Sequence, residues 1–286
     1  TTLATVIAGQ DLQSRFVVPP AVSNISDYDV RYQMILHLAL AQPNITYMGS
    51  PNPTTFVRLL GLLNSRRALL LQALATGISD EVARLEPSLR ATIAPRLKAL
   101  PHRAARLAQL PELTLANTWP NLKLLTTWTG GSCGIALGAL RRTLPEGTRV
   151  MELAYQATEC RGTIPIEAED PGGLPPLHHS FFEFVEQTQW DLGRPDFLTL
   201  DQLQRGPRYY VLVTSAAGLY RYFMNDLIDV TGYFHRTPLV RFVQKGKGVT
   251  NLTGEKLYES QVIEAVQGEF AQRHIVPTFF VLVADE

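Results

Sequence analysis

Neither sign of charge is in excess: 26 basic and 26 acidic residues cancel across 286 positions. With no basic stripe and no acidic tail, neither a nucleic-acid-binding surface nor a solvating charged segment is indicated. Long apolar runs are absent too. Nothing approaches the run of about 18 residues that a membrane-spanning helix needs, and no cleavable signal is visible at the start. Cysteine is scarce: Cys133 and Cys160 alone make neither a disulfide framework nor a metal cluster. The glycosylation-type triplets at Asn24, Asn44 and Asn251 are therefore read as chance matches, and the expected location is a reducing cytoplasm.

What the chain does have is core-forming material, with 45% hydrophobic and 18% charged residues, the balance of a globular protein. Val30, Met34 and Leu38 recur at helical spacing, with Asp27 or Asp29 as cap and Pro43 as terminator. Ile45–Met48 reads as a strand. Phe56–Leu63 and Ala68–Leu74 read as helices, followed by weaker helical patterning to Leu110. From Leu122 the character changes. Leu122–Trp128, a glycine turn and Ile135–Arg142 read as strand, turn and helix. Val150–Tyr155, Phe181–Val185, Tyr209–Thr214, Leu227–Val230 and Leu239–Val243 read as strands separated by Gly/Pro turns. Lys256–Phe270 reads as a helix and Phe279–Val283 as a strand. Lys245-Gly246-Lys247-Gly248 is the expected hinge before them.

Four segments carry the candidate chemistry: Trp128-Thr129-Gly130-Gly131-Ser132-Cys133-Gly134, Tyr155-Gln156-Ala157-Thr158-Glu159-Cys160, Gly218-Leu219-Tyr220-Arg221-Tyr222 with Asn225-Asp226, and Arg241-Phe242-Val243 leading through Lys245 to Gly254-Glu255-Lys256. With Asn52-Pro53-Thr54-Thr55, Trp119-Pro120-Asn121 and Phe181-Phe182-Glu183-Phe184, in this order and spacing, the sequence resembles the plant auxin-responsive acyl-acid amido synthetases and their bacterial relatives. These belong to the firefly-luciferase-like adenylate-forming superfamily. The resemblance covers most of the chain.

It implies an α/β fold: a large mixed-sheet domain over 1–244, a hinge at 245–248, and the beginning of a small mobile domain over 249–286. It also implies ATP-dependent adenylation of a carboxylic acid, then transfer of the acyl group to an amine, usually an amino acid, with coenzyme A as an alternative acceptor. The implied cofactors are ATP/AMP and Mg2+; nucleic acid and membrane are not among the implied partners. Thr158 then donates its hydroxyl to the α-phosphate. Glu159 acts catalytically as the magnesium ligand, hard oxygen being what Mg2+ prefers. Gly130 lets backbone approach the nucleotide. Tyr155 offers a flat face to adenine, Asp226 accepts from the ribose diol, and Lys245 and Lys256 bring cations to the phosphoryl group. Asn225 stands where relatives carry glycine, a substitution asparagine suits because it tolerates positive φ.

Other readings compete. Gly130-Gly131-Ser132-Cys133-Gly134 also fits the nucleophile elbow of serine hydrolases, with Asp226 or Asp229 and His235 or His274 available downstream. His178, His179 and Glu183 form an incomplete metal-ligand set. No glycine-rich triphosphate loop occurs in residues 1–28, and Gly-x-x-x-x-Gly-Lys occurs nowhere. The sequence is thus expected to be an internal piece, or a non-catalytic descendant that binds nucleotide without turning it over.

Overall fold

The computed structural model describes residues 16–131, 133–246, 249–250 and 257–273, with 275, 277 and 280 as single positions. The chain forms two compact units: one from 1–48, 55–123 and 142–148, the other from 49–54, 124–141 and 149–286.

The first unit is helical. Helix α1 (Tyr28–Leu40) starts where the Asp27 carboxylate accepts the backbone N–H groups of Asp29 and Val30, two donors with no intrahelical partner. Nearly all of α2 (Thr54–Ser65) follows, with α3 (Arg67–Thr76), the short α4 (Asp80–Ala83), α5 (Pro87–Ile93), α6 (Pro101–Ala108) and α7 (Leu115–Thr118). Gly77 ends α3 at φ 71°, and a Cβ there would lie 2.9 Å from the Ala99 nitrogen. The far end of α1 is closed by side chains. Buried Arg103 donates from Nε to the Leu40 carbonyl at 2.8 Å and from Nη2 to the Thr118 carbonyl at 2.9 Å. Trp119 Nε1 donates to the Ala39 carbonyl at 3.0 Å. Burial, with nearby Arg106, lowers the Arg103 pKa to about 10. Trp119-Pro120-Asn121 is therefore a structural motif, its Asn121 amide donating to Asn44 at 2.9 Å.

Helix α1 differs from its sequence pattern, since Gln33 and His37 are buried alongside Met34 and Leu38. Burial lowers the His37 pKa below the ordinary 6.5, with Glu81 pulling the other way. A base whose folded pKa is depressed contributes stability above its unfolded pKa and loses it as pH falls through the folded one. The melting temperature is therefore expected to drop as pH is lowered from 7.5 through 6.5 and below, and to drop less in His37→Leu. Equal drops in the two proteins would refute this assignment.

The second unit is built on sheets. Strand β1 (Tyr47–Gly49) leads into it, and β2 (Leu124–Thr127) and β3 (Arg149–Glu152) pair in parallel, Thr127 opposite Glu152. Helix α8 (Cys133–Arg141) lies between them in sequence, the expected strand, turn and helix. Strands β4 (Ile164–Pro165), β5 (Gly173–Leu174), β6 (Ser180–Glu186), β7 (Arg208–Ser215), β8 (Tyr222–Phe234) and β9 (Thr237–Lys245) form a sheet ordered β4-β5-β9-β8-β7-β6, antiparallel throughout. One face carries the core of Phe182, Phe184, Val211, Val213, Met224 and Ile228. The other carries Trp190 from the short α9 (Gln187–Asp191), stacked on Phe223 with centroids 4.4 Å apart and Tyr210 beside them. Strands β10 (Val249–Thr250) and β11 (Leu257–Tyr258) pair antiparallel before α10 (Glu259–Gln272). Of the strand expected at 279–283, only Phe280 is among the described residues. No described helix is long and apolar enough to cross a membrane.

Candidate functional site: a buried carboxylate between strand ends

The described parts of the four segments singled out above contribute Gly130, Tyr155, Asp226 and Phe242 to one region of the second unit. Asn225 occupies the left-handed region at φ 53°, as its asparagine identity allows. Next to it Asp226 is 1% exposed and stands directly opposite Lys245 in the β8–β9 register. The two make an ion pair through Asp226 Oδ1, although Lys245 itself remains largely exposed. Tyr155 donates its hydroxyl to Asp226 Oδ2 at 2.5 Å. Burial, the Asp226 charge and that hydrogen bond all raise the Tyr155 pKa, so the phenol keeps its proton and remains a donor.

The Tyr155 ring is seated by its neighbours. It stacks on Phe242 with centroids 5.6 Å apart and planes 20° from parallel. It also lies so close to Gly162 that a Cβ there would sit 2.2 Å from Tyr155 Cδ1. The backbone closes around it. Tyr155 N–H donates to Thr163 Oγ1 at 2.9 Å, and Gly162 and Thr163 return their N–H groups to the Tyr155 carbonyl. Gln156 bridges Arg161, so 156–161 is a tight loop with Thr158 and Glu159 at its tip. Thr158 Oγ1 donates to Glu159 Oε2 at 3.0 Å. The Glu159 carboxyl is held below its usual range by its own backbone N–H, then by Thr158, with a smaller pull from Lys245.

The glycine turn closes the remaining side. A Cβ on Gly130 would come within 3.4 Å of the Phe242 carbonyl, and Gly131 has φ 56°. Thr129 is held by Glu152, and Trp128 N–H donates to the Pro51 carbonyl at 2.9 Å. The Asn52-Pro53-Thr54 segment thus runs beside this turn, its Asn52 carboxamide accepting from Thr54. Gly246 is tight as well: a Cβ would lie 2.3 Å from Tyr210 Cε1 and 2.8 Å from Asn225 Oδ1.

Of the sequence-predicted residues, the structure brings Tyr155, Asp226 and Lys245 into direct contact, with Gly130, Thr158 and Glu159 on neighbouring turns. Lys256 and Ser132 lie outside the described residues. Glu183 and Arg221, from two of the motif segments, belong elsewhere. They form a bidentate pair with both N···O distances 2.9 Å, tying the Phe-Phe-Glu-Phe and Gly-Leu-Tyr-Arg-Tyr segments together across the sheet. That pairing removes Glu183 from the suggested metal set, and no group of three potential ligands exists among the described residues. For the hydrolase alternative, Asp226 and Asp229 are both engaged by cations, Lys245 and Arg241 respectively. Burial raises the pKa of both thiols, Cys160 to about 11, so neither is a poised nucleophile. Two residues escaped the motif reading, Glu152 and Gly162, while Phe242 stood in a singled-out segment without a role of its own. Only Gly162 left a signal, a glycine closing a loop whose tip carries candidate ligands.

Chemically, the site offers a desolvated carboxylate flanked by a donor and a cation, a stacking aromatic pair, and a hydroxyl–carboxylate tip. Asp226 can accept two hydrogen bonds from a vicinal diol if Lys245, the exposed partner, yields its place. The Thr158–Glu159 tip offers a hydroxyl and one half-exposed carboxylate, oxygen ligands of the kind a hard divalent cation takes.

Comparison with known proteins bears on the family and the fold. Residues 1–148 match the GH3 family N-terminal domain and 174–245 the GH3 family central domain. A probable indole-3-acetic acid-amido synthetase from Oryza sativa subsp. japonica is 28% identical over 186 residues, 58% of this chain and 29% of the relative. A 4-substituted benzoates-glutamate ligase from Arabidopsis thaliana is 28% identical over 155 residues, 52% of this chain and 26% of the relative. The solved GH3.15 acyl acid amido synthetase shares the fold, with a TM-score of 0.78 at 22% identity over 90% of this chain and 48% of that one. The chain spans less than half the length of each of these proteins. The match of the N-terminal description to more than half of the residues decides the assignment: the chain belongs to the GH3 family.

Proposed function

We propose that this chain is part of an acyl-acid amido synthetase that activates a carboxylic acid with ATP and passes the acyl group to an amino acid. The observation that carries the reading is the buried Asp226, held between Tyr155 and Lys245 at 1% exposure. A carboxylate is desolvated at considerable cost, and a diol donating to both oxygens is a partner that repays it. The relatives' names, an indole-3-acetic acid-amido synthetase and a benzoates-glutamate ligase, support an aromatic acid and an amino-acid acceptor.

In this reading Asp226 holds the ribose, and Tyr155 with Phe242 provides the flat wall for adenine. Gly130 gives the α-phosphate access to backbone, and Thr158 donates to it. Lys245 leaves Asp226 for the phosphoryl oxygens, and Lys256 supplies a second cation. Magnesium, held by Glu159, would offset charge on the departing pyrophosphate. Residues 1–244 form the large domain, 245–248 the hinge, and 249–286 begin a small mobile domain. The match to the central domain ending at Lys245 supports that boundary.

The test is carboxylate-dependent ATP–pyrophosphate exchange with aromatic and aliphatic acids, run on this chain with whatever residues its gene adds at either end. Exchange that falls at least about a hundredfold in Glu159→Ala, as loss of an electrostatic phosphoryl-transfer group does, is the expected result. A folded protein that binds AMP yet exchanges with no acid would instead be a nucleotide-binding descendant.

A further inference from the structure

Glu152 does something that no motif in the sequence announces. It is the last residue of β3, beside Thr127 in the parallel pair, and four donors converge on its carboxylate. Oε2 accepts the Thr129 N–H at 2.8 Å and the Thr129 hydroxyl at 2.5 Å. Oε1 accepts the Leu153 N–H at 3.0 Å, a donor shared with the Thr127 carbonyl at 3.1 Å, and, more weakly, the Ala154 N–H at 3.4 Å. One side chain therefore staples the turn containing Gly130 and Gly131 to the start of the segment that delivers Tyr155.

The backbone between these points is not relaxed. Ala154 is buried and has φ 113°, a region that non-glycine residues enter only when the surroundings dictate it. The Glu152 carboxylate accepts from the two successive N–H groups that lead into Ala154, and Thr163 accepts from the next one, that of Tyr155, so the chain is held on both sides of that torsion. The same orientation argues against Glu152 as a ligand for metal or substrate. Both its oxygens are already occupied by protein donors, and a free negative charge here would repel an anion approaching the glycine turn. Its field is felt locally, as a contribution to the raised pKa of Cys133 behind burial.

We propose that Glu152 is a positioning residue: it fixes the Thr129–Gly131 turn and the Leu153–Tyr155 segment to each other, and so sets the gap between phosphate-approaching backbone and the Tyr155 ring. The proposal rests on the nucleotide reading of the site. It involves no contact between Glu152 and the ligand.

The test compares Glu152→Ala and Glu152→Gln with the parent chain, using AMP as the probe and hydrogen–deuterium exchange as the second readout. Alanine removes both acceptors. Glutamine keeps one oxygen and turns an NH2 toward the other pair of donors, so it rescues one segment only. Exchange is expected to quicken at 128–131 and at 153–155 in the alanine variant, and at one of these stretches in the glutamine variant. Strands β6 and β7 should be unchanged. AMP affinity should fall about tenfold with alanine, the scale of one charge-assisted hydrogen bond, and by less with glutamine. If alanine prevents folding, the glutamine variant decides alone. Unchanged exchange at both stretches with unchanged AMP affinity in Glu152→Gln would overturn the proposal. A parent chain that binds no AMP would remove the nucleotide reading instead, while the exchange pattern would still decide whether Glu152 couples the two segments.

Discussion

Asp226→Asn is expected to weaken AMP binding by at least about thirtyfold, the equivalent of about 2 kcal/mol, while leaving the protein folded. Asparagine keeps the shape of the side chain and an oxygen that still accepts from the Tyr155 hydroxyl, 2.5 Å away in the parent. It gives up the charge that a ribose diol and Lys245 both seek, and hydrogen bonds to a charged group are worth about 1.5–3 kcal/mol. Lys245 is 59% exposed and turns to water, so the stability loss should stay near 1 kcal/mol, as for pairs with one solvated partner. Asp226→Ala is the harsher change. It leaves the largely buried Tyr155 hydroxyl without its acceptor, at a further cost of about 1–3 kcal/mol. Calorimetric titration with AMP beside thermal melting separates the two effects. Parent-like AMP affinity in Asp226→Asn would mean that the buried carboxylate serves the fold alone.

Gly162→Ala is expected to be among the most damaging single methyl additions in the second unit. The added carbon would stand 2.2, 2.6 and 2.8 Å from three atoms of the Tyr155 ring, against the roughly 3.5–4.0 Å that carbon atoms prefer. A ring cannot bend aside as a lysine tip does. Tyr155 must swing off Phe242 and release Asp226, losing an aromatic pair worth about 0.5–1.5 kcal/mol and a hydrogen bond to a carboxylate. A loss of about 3 kcal/mol follows, or roughly 6–12 °C in melting temperature for a unit of this size. The decisive control is the double variant. In a Tyr155→Ala background the clash disappears, so Gly162→Ala should become nearly neutral, a non-additivity expected only of residues in contact. Additive effects would show that the ring and the glycine are not linked in this way.

Much of this was legible from residue types, and the misses have physical reasons. The spacing of Val30, Met34 and Leu38 announces α1, but not that Gln33 and His37 are buried too, because polarity alone points them at water. Strand β8 is readable over Leu227–Val230, whereas it runs from Tyr222 to Phe234. Its outer portions carry Asn225 and Asp226, residues that otherwise favour turns. Strands β4 and β5 are two residues each and contain Pro165 and Gly173, too short and too irregular to alternate. At the site, Tyr155, Asp226 and Lys245 stand out individually, but their mutual contact depends on register. Glu152 is a lone acid at the end of a four-residue strand; only the fold shows which donors meet it.

That register has an unusual origin. Strands β8 and β9 each carry one irregularity, between Leu227 and Ile228 and between Val230 and Gly232. The first spends an extra residue on β9 and the second an extra residue on β8, so the slips cancel by the time the pair reaches Asp226 and Lys245. The hairpin behaves as a vernier: its setting is chosen at the His235-Arg236 turn and read about 27 Å away along the strand, at roughly 3.4 Å per residue. Drift in length is consequently forbidden where drift in composition is not. One residue gained or lost at that exposed turn would carry Lys245 to the opposite face of the sheet and leave Asp226 buried without its cation, although no residue of the site had changed.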